Sequence, residues 1–239
     1  MKLYQILFPM VAPILLLQGR QLKKNMPRLP EASGARMGDG GEGREIRLLV
    51  IGDSAAAGVG VSCQSDALSG QLAHALSKRY SAHWTLQAKS GADIKSCLTY
   101  QKKQENQSYD IVLVSIGVND VTGRTTPSQW ISSLTSLVSL LNNKYQPKCI
   151  IFTKIPPMEQ FSALMQPMRW FLGAKAQHFN LLLAQYVASQ NNCQLLSIEG
   201  NLSVNDMASD GFHPGPAIYQ HWGQQASAAI EHYYEESAV

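Results

Sequence analysis

Apolar residues first gather in "LYQILFPMVAPILLLQG" (residues 3 to 19), a run without charge, and then not again until "IRLLVIG" at 46 to 52. From that point apolar runs alternate with stretches of helical period. "IRLLVIG", "WTLQAK", "DIVLVSIG", "CIIFTKI" and "CQLLSI" have the length and side chains of strands, and several are too continuously apolar to leave one face in water. Between them, Leu68, Leu72, Leu76 and Tyr80 recur every four residues, while Trp130, Leu134, Leu137, Val138 and Leu141 form a helical stripe opened by Pro127. Residues 170 to 190 and 216 to 234 read as two further helices. The alternation predicts an α/β fold in which a mostly parallel sheet of about five strands is covered by helices on both faces.

The stretch from 20 to 45 mixes basic residues, prolines and a glycine cluster with no apolar period, which predicts a flexible linker before a compact domain from 46 to 239. The run at 3 to 19 contains Pro9 and Pro13, and at helical rise its length is roughly 25 Å against the ~30 Å of a bilayer core. It fits a signal-peptide core, a short anchor, a helix lying in the interface, or an arm packed on the domain. No small-x-small cleavage pattern follows directly, so retention is expected. Lys2 alone precedes the run, whereas Arg20, Lys23, Lys24 and Arg28 follow it. If it spans, that bias keeps the domain in the cytoplasm, associated with the inner membrane. Export is the alternative.

Charge narrows the partners. The net charge is +3, and residues 1 to 47 carry eight Lys/Arg against four Asp/Glu, so the rest is nearly neutral. With no basic stripe interleaved with aromatics, nucleic acid is not an expected partner. Cys63, Cys97, Cys149 and Cys193 are far apart, lack CxxC spacing and have no His at zinc-ligand distance, which excludes a metal site and predicts free thiols in a reducing compartment.

The first strand breaks into "GDSAAAGVG". This loop lacks the lysine of a P-loop and the glycine spacing of a dinucleotide fingerprint, and Ala56 stands where a hydrolase elbow G-x-S-x-G needs its second glycine. What remains is Ser54 at the carboxyl end of a strand, where open α/β sheets place ligands. Serine is a poor nucleophile without a base. "SDGFHPGP", after the last expected strand, supplies Asp210 three residues before His213, whereas His74, His83, His178, His221 and His232 have no such neighbour. Donors for an oxyanion belong on adjacent strand ends. "AKSGAD" offers Gly91 and "SIGVND" offers Asn119.

Gly-Asp-Ser at 52 to 54, Gly91, Gly-x-Asn-Asp at 117 to 120 and Asp-x-x-His at 210 to 213 together resemble the four ordered blocks of the SGNH hydrolases, or GDSL esterases and lipases. Ala55 replaces the leucine of the family's name, a position without chemistry. The resemblance implies a three-layer α/β/α, flavodoxin-like fold and no cofactor. It implies Ser54 as nucleophile, His213 as base and then acid, Asp210 as orienting carboxylate, and an oxyanion hole of the Ser54 and Gly91 N–H groups with the Asn119 amide. Asp53 and Asp120 then take structural hydrogen-bonding roles, and Asp206 is a more distant competitor to Asp210.

The substrate expected is a small-molecule or lipid ester with a hydrophobic acyl part, such as a lysophospholipid. That expectation rests on Met158, Phe161, Met165 and Trp170 in the apolar, proline-broken stretch 156 to 173, and on membrane association through residues 3 to 19. A carbohydrate O-deacetylase and a non-catalytic α/β binding module are the alternatives.

Overall fold

The computed structural model describes residues 2–198 and 204–236. Six strands form one sheet: β1 Met37–Gly40, β2 Arg44–Gly52, β3 Tyr80–Ala88, β4 Ile111–Ser115, β5 Cys149–Thr153 and β6 Cys193–Leu196, in the order β1-β3-β2-β4-β5-β6. Every pair is parallel except β1 with β3. Without β1, the order is that of a flavodoxin-like sheet, whose chain reverses direction across the sheet beside its first strand. That first strand, β2, ends in Asp53 and Ser54.

Among the described residues there are seven α-helices: α1 Leu3–Asn25, α2 Leu68–Leu76, α3 Ile94–Lys103, α4 Val118–Thr122, α5 Pro127–Tyr145, α6 Met168–Ala188 and α7 Pro216–Glu236. Strand alternation divides the core. Leu48, Val50, Leu113 and Ile151 face α2 and α7, while Leu49, Ile51, Val114 and Phe152 face α3, α5 and α6. Both faces of β4, β5 and the Leu48–Gly52 half of β2 are therefore buried, the reason these stretches are so continuously apolar, while Arg44, Glu45 and Arg47 at the start of β2 are exposed. The sequence pattern carries these strands and α2, α5, α6 and α7. Tyr80, taken as the end of the first helical stripe, instead opens β3.

The stretch expected to be a flexible linker is not one. Residues 20 to 25 continue α1, and Met37–Gly40 pairs antiparallel along β3. Gly38 lies opposite Trp84, and a Cβ there would meet the indole at 3.0 Å, so the glycines that read as disorder let a strand lie flat against an aromatic ring. Arg36 donates to the Ala88 carbonyl at 2.7 Å and pairs with Glu31, whose other carboxylate oxygen accepts the Ser90 N–H at 2.8 Å. Residues 31 to 40 thus belong to the domain expected to begin at 46.

Helix α1 also has a seat. The Tyr4 ring meets Phe171 edge-on at 5.5 Å and its hydroxyl pairs with His178 Nδ1 at 2.9 Å. Gln18 donates to the Gln166 carbonyl at 2.7 Å and accepts the Met168 N–H at 3.2 Å. By length and composition α1 is able to cross a membrane.

Candidate functional site

Ser54 stands just past the carboxyl end of β2, in a loop held from two sides. The Tyr219 hydroxyl on α7 lies 3.0 Å from the Ala55 carbonyl and 2.7 Å from that of Val59. Gly60, at φ +112°, faces the loop that carries His213, and a Cβ on it would lie 2.1 Å from the Pro214 carbonyl oxygen. Only glycine lets the two loops come that close.

The His213 loop is pinned as a small hairpin. Ala208 donates its N–H to the His213 carbonyl at 2.9 Å, and Gly215 donates to the Asp206 carbonyl at 3.0 Å. Asp206 thereby shapes the loop through its backbone. Asp210 Oδ1 accepts the N–H groups of Phe212 and His213, each at 3.0 Å, and Oδ2 lies 2.5 Å from His213 Nδ1. The other ring nitrogen, Nε2, is 2.9 Å from Ser54 Oγ. Burial alone would raise the Asp210 carboxyl, but the hydrogen bonds from His213 and Phe212 outweigh it and hold the group below its usual value. Asp210 stays an anion that accepts a hydrogen bond from Nδ1–H, which leaves the Nε2 lone pair turned toward Ser54.

The two remaining sequence blocks meet at the adjoining strand ends. Gly91 turns the chain after β3 at φ +78°, and Asn119 sits in the first turn of α4 after β4. One Asn119 amide hydrogen goes to the Ala92 carbonyl at 3.0 Å, which ties the two blocks together and leaves the second hydrogen for a ligand. α4 is itself clamped from behind. The ammonium of buried Lys175 donates to the carbonyls of Asp120, Val121 and Gly123 at 3.0, 3.0 and 3.1 Å, and burial lowers its pKa to about 8.

Asp53 and Asp120 are buried beside the site without facing His213 as partners. Asp53 accepts the Ala55 N–H at 3.0 Å; Asp120 accepts the Ile94 N–H at 3.0 Å and the Thr125 hydroxyl at 2.9 Å. Burial pushes Asp53 up to about 7 and Asp120 to about 6. Folded, Asp53 keeps its proton well above the value of 3.8 that it has when unfolded, so the native state binds more protons in that window and this group weakens stability as pH rises through it. Asp53→Asn should therefore gain in Tm relative to the parent between about pH 4 and about pH 7. Thermal melts across that range measure it; a Tm difference independent of pH would mean that Asp53 is ionised in the fold throughout.

An apolar cavity of about 100 Å³ opens against Ser54 and His213, with Ile155, Phe161, Phe212 and Trp222 among its walls. Phe161 packs edge-on against Phe212 at 5.1 Å, and Phe212 against the His213 ring at 5.3 Å. Of the four residues expected to meet substrate, only Phe161 lines this cavity. Met158 is fully buried in the core, Met165 is about half exposed, and Trp170 packs on the core from α6. Phe212 adjoins the singled-out histidine, yet only the folded loop shows that it walls the cavity.

A doubly covered parallel sheet whose carboxyl edge carries a Ser–His–Asp relay is the arrangement of a serine-dependent ester hydrolase. Residues 50–221 match the GDSL-like lipase/acylhydrolase family, and the chain belongs to that family of carboxylic ester hydrolases. No protein of curated function matches the chain significantly. Several solved structures share the fold. A carbohydrate esterase family 2 enzyme with a carbohydrate-binding domain, from Corynascus thermopiles (Myceliophthora fergusii), is 15% identical with a TM-score of 0.63, over 85% of this chain and 67% of that one. An acetylxylan esterase from Geobacillus stearothermophilus is 18% identical with a TM-score of 0.57, over 79% of this chain and 95% of its own. A psychrotrophic esterase from a Pseudoalteromonas species is 16% identical with a TM-score of 0.59, over 79% and 98%.

Proposed function

We propose that this chain is a serine esterase that works through an acyl-enzyme on esters with a compact, apolar acyl group. The observation that carries this reading is the relay Asp210–His213–Ser54 at 2.5 and 2.9 Å, opening onto a small apolar cavity. Ser54 Oγ attacks the ester carbonyl carbon as its proton passes to His213 Nε2. The resulting oxyanion is held by the N–H groups of Ser54 and Gly91 and by the Asn119 amide. His213 returns the proton to the departing alcohol, leaving the acyl group on Ser54. Water then attacks that ester, again giving its proton to His213, which passes it to Ser54 Oγ as the acid leaves.

Cavity size favours a short acyl group. A void of ~150 Å³ holds a six-carbon ring, so about 100 Å³ suits roughly two to four carbons. A larger groove of about 440 Å³ adjoins the Gly91 turn, and its walls include the polar and basic side chains of Lys89, Ser96, Tyr100 and Lys103. It supports a polar alcohol portion, such as an acetylated sugar, and two of the solved relatives carry names of carbohydrate esterases. The second reading, a lysophospholipid-like substrate, draws on the exposed apolar side chains of α1. A series of p-nitrophenyl esters of rising chain length, run beside acetylated xylan and a lysophospholipid, separates them. Rates that fall steeply beyond about four carbons favour the first reading; rates that rise with chain length overturn it.

Asn119→Ala tests the oxyanion assignment. Loss of one such donor lowers kcat by about a hundred- to a thousand-fold with little change in KM. A folded variant with the kcat of the parent would remove Asn119 from the reaction.

A further inference from the structure

Helix α1 has two apolar faces, and the fold uses one. Tyr4, Val11, Leu15 and Leu22 point into the domain, seated on α6. Leu3, Ile6, Met10, Ile14 and Leu17, spaced three or four apart along a side turned about a third of the way round the helix, are 47–77% exposed, and Phe8 and Leu16 are exposed beyond that stripe. Five large apolar side chains in one unbroken stripe are more than a solvated surface helix carries. We infer that α1 is a monotopic docking helix: its outer stripe lies in an anionic lipid surface while its inner face stays on the domain.

Charge argues for lipid as the occupant. Residues 1 to 30 contain no Asp or Glu, and Lys2, Arg20, Lys23, Lys24 and Arg28, all exposed, flank the apolar stretch at its two ends. Such a helix gains both from burying its stripe at the acyl boundary and from attraction to acidic headgroups. A second copy of this chain placed against the same stripe would bring like charges together. The polar links to the domain argue against spanning. Tyr4 is bound to His178, and Gln18 to both Gln166 and Met168, so a transmembrane α1 would have to abandon these bonds and uncover Phe171. The inference stands on the surface of α1 and is independent of the reaction proposed for Ser54.

Full-length protein is floated with vesicles of phosphatidylcholine alone and of phosphatidylcholine with phosphatidylglycerol. Binding should be strong only to the second, and should fall by roughly tenfold or more in Met10→Asp/Leu17→Asp and, separately, in Lys23→Glu/Lys24→Glu. Tm and turnover of a soluble ester should stay at parent values, because these side chains touch neither core nor site. On bound vesicles, an amine reagent unable to cross the bilayer, added outside, should modify Lys2. Protection of Lys2 would mean that α1 spans, and so would overturn the inference. So would vesicle binding unchanged by either double substitution, or self-association without lipid that the aspartates abolish.

Discussion

Ser54→Ala should fold with the Tm of the parent and hydrolyse no ester at a measurable rate. The substitution removes one oxygen from a half-buried position at the mouth of an existing cavity, so packing is barely altered, and the loop stays held by Tyr219 on Ala55 and Val59. The proposed chemistry, however, loses the atom that becomes acylated. Removal of a serine nucleophile from such a relay costs on the order of 10⁴- to 10⁶-fold in kcat. Two measurements on the same preparation check this: turnover of a short p-nitrophenyl ester, and covalent labelling by a fluorophosphonate. Labelling of the folded variant at the parent's rate would mean that another residue is the nucleophile.

Asp210→Asn should be nearly as damaging for a different reason. The Asn Oδ1 still accepts the Phe212 and His213 N–H groups, so the loop keeps its shape. What changes is the group facing His213 Nδ1, now an amide that donates where a carboxylate accepted. The imidazole then carries its proton on Nε2, toward Ser54, and has no lone pair there to receive one. Loss of roughly 10⁴-fold in kcat is expected, with KM little changed. Asp210→Glu retains the charge but lengthens the arm, and should recover part of that loss. Full activity in Asp210→Asn would transfer the orienting role elsewhere, with Asp206 the first residue to examine.

The residues that the fold brings into the proposed relay were legible because chemistry constrains residue type. A nucleophile needs an adjacent base and that base a carboxylate, so Ser54, His213 and Asp210 announce themselves by kind and order even though 159 positions separate serine from histidine. Their supports were not legible. Tyr219 reads as one more aromatic on the buried side of α7, and its two bonds to the Ser54 loop exist only once α7 lies against that loop. Lys175 reads as a surface lysine on a helix until α4 is found ending at its ammonium. Met37–Gly40 has no strand-forming side chain, because β1 is held by backbone pairing and by the room that Gly38 leaves for Trp84. The apolar stretch 156 to 173 shows a complementary failure. Counting apolar residues says that a segment will be covered, but Met158, Phe161 and Met165 face core, cavity and solvent respectively, and only the path of the chain sorts them.

The seat of α1 on α6 also orders events during synthesis. Tyr4 leaves the ribosome first, yet its partner His178 lies 174 residues later, so α1 spends most of translation with both apolar faces uncovered. Domains form as units behind the growing chain, and contacts of this separation close last. Docking onto α6 therefore comes late, once Phe171 and His178 have been made.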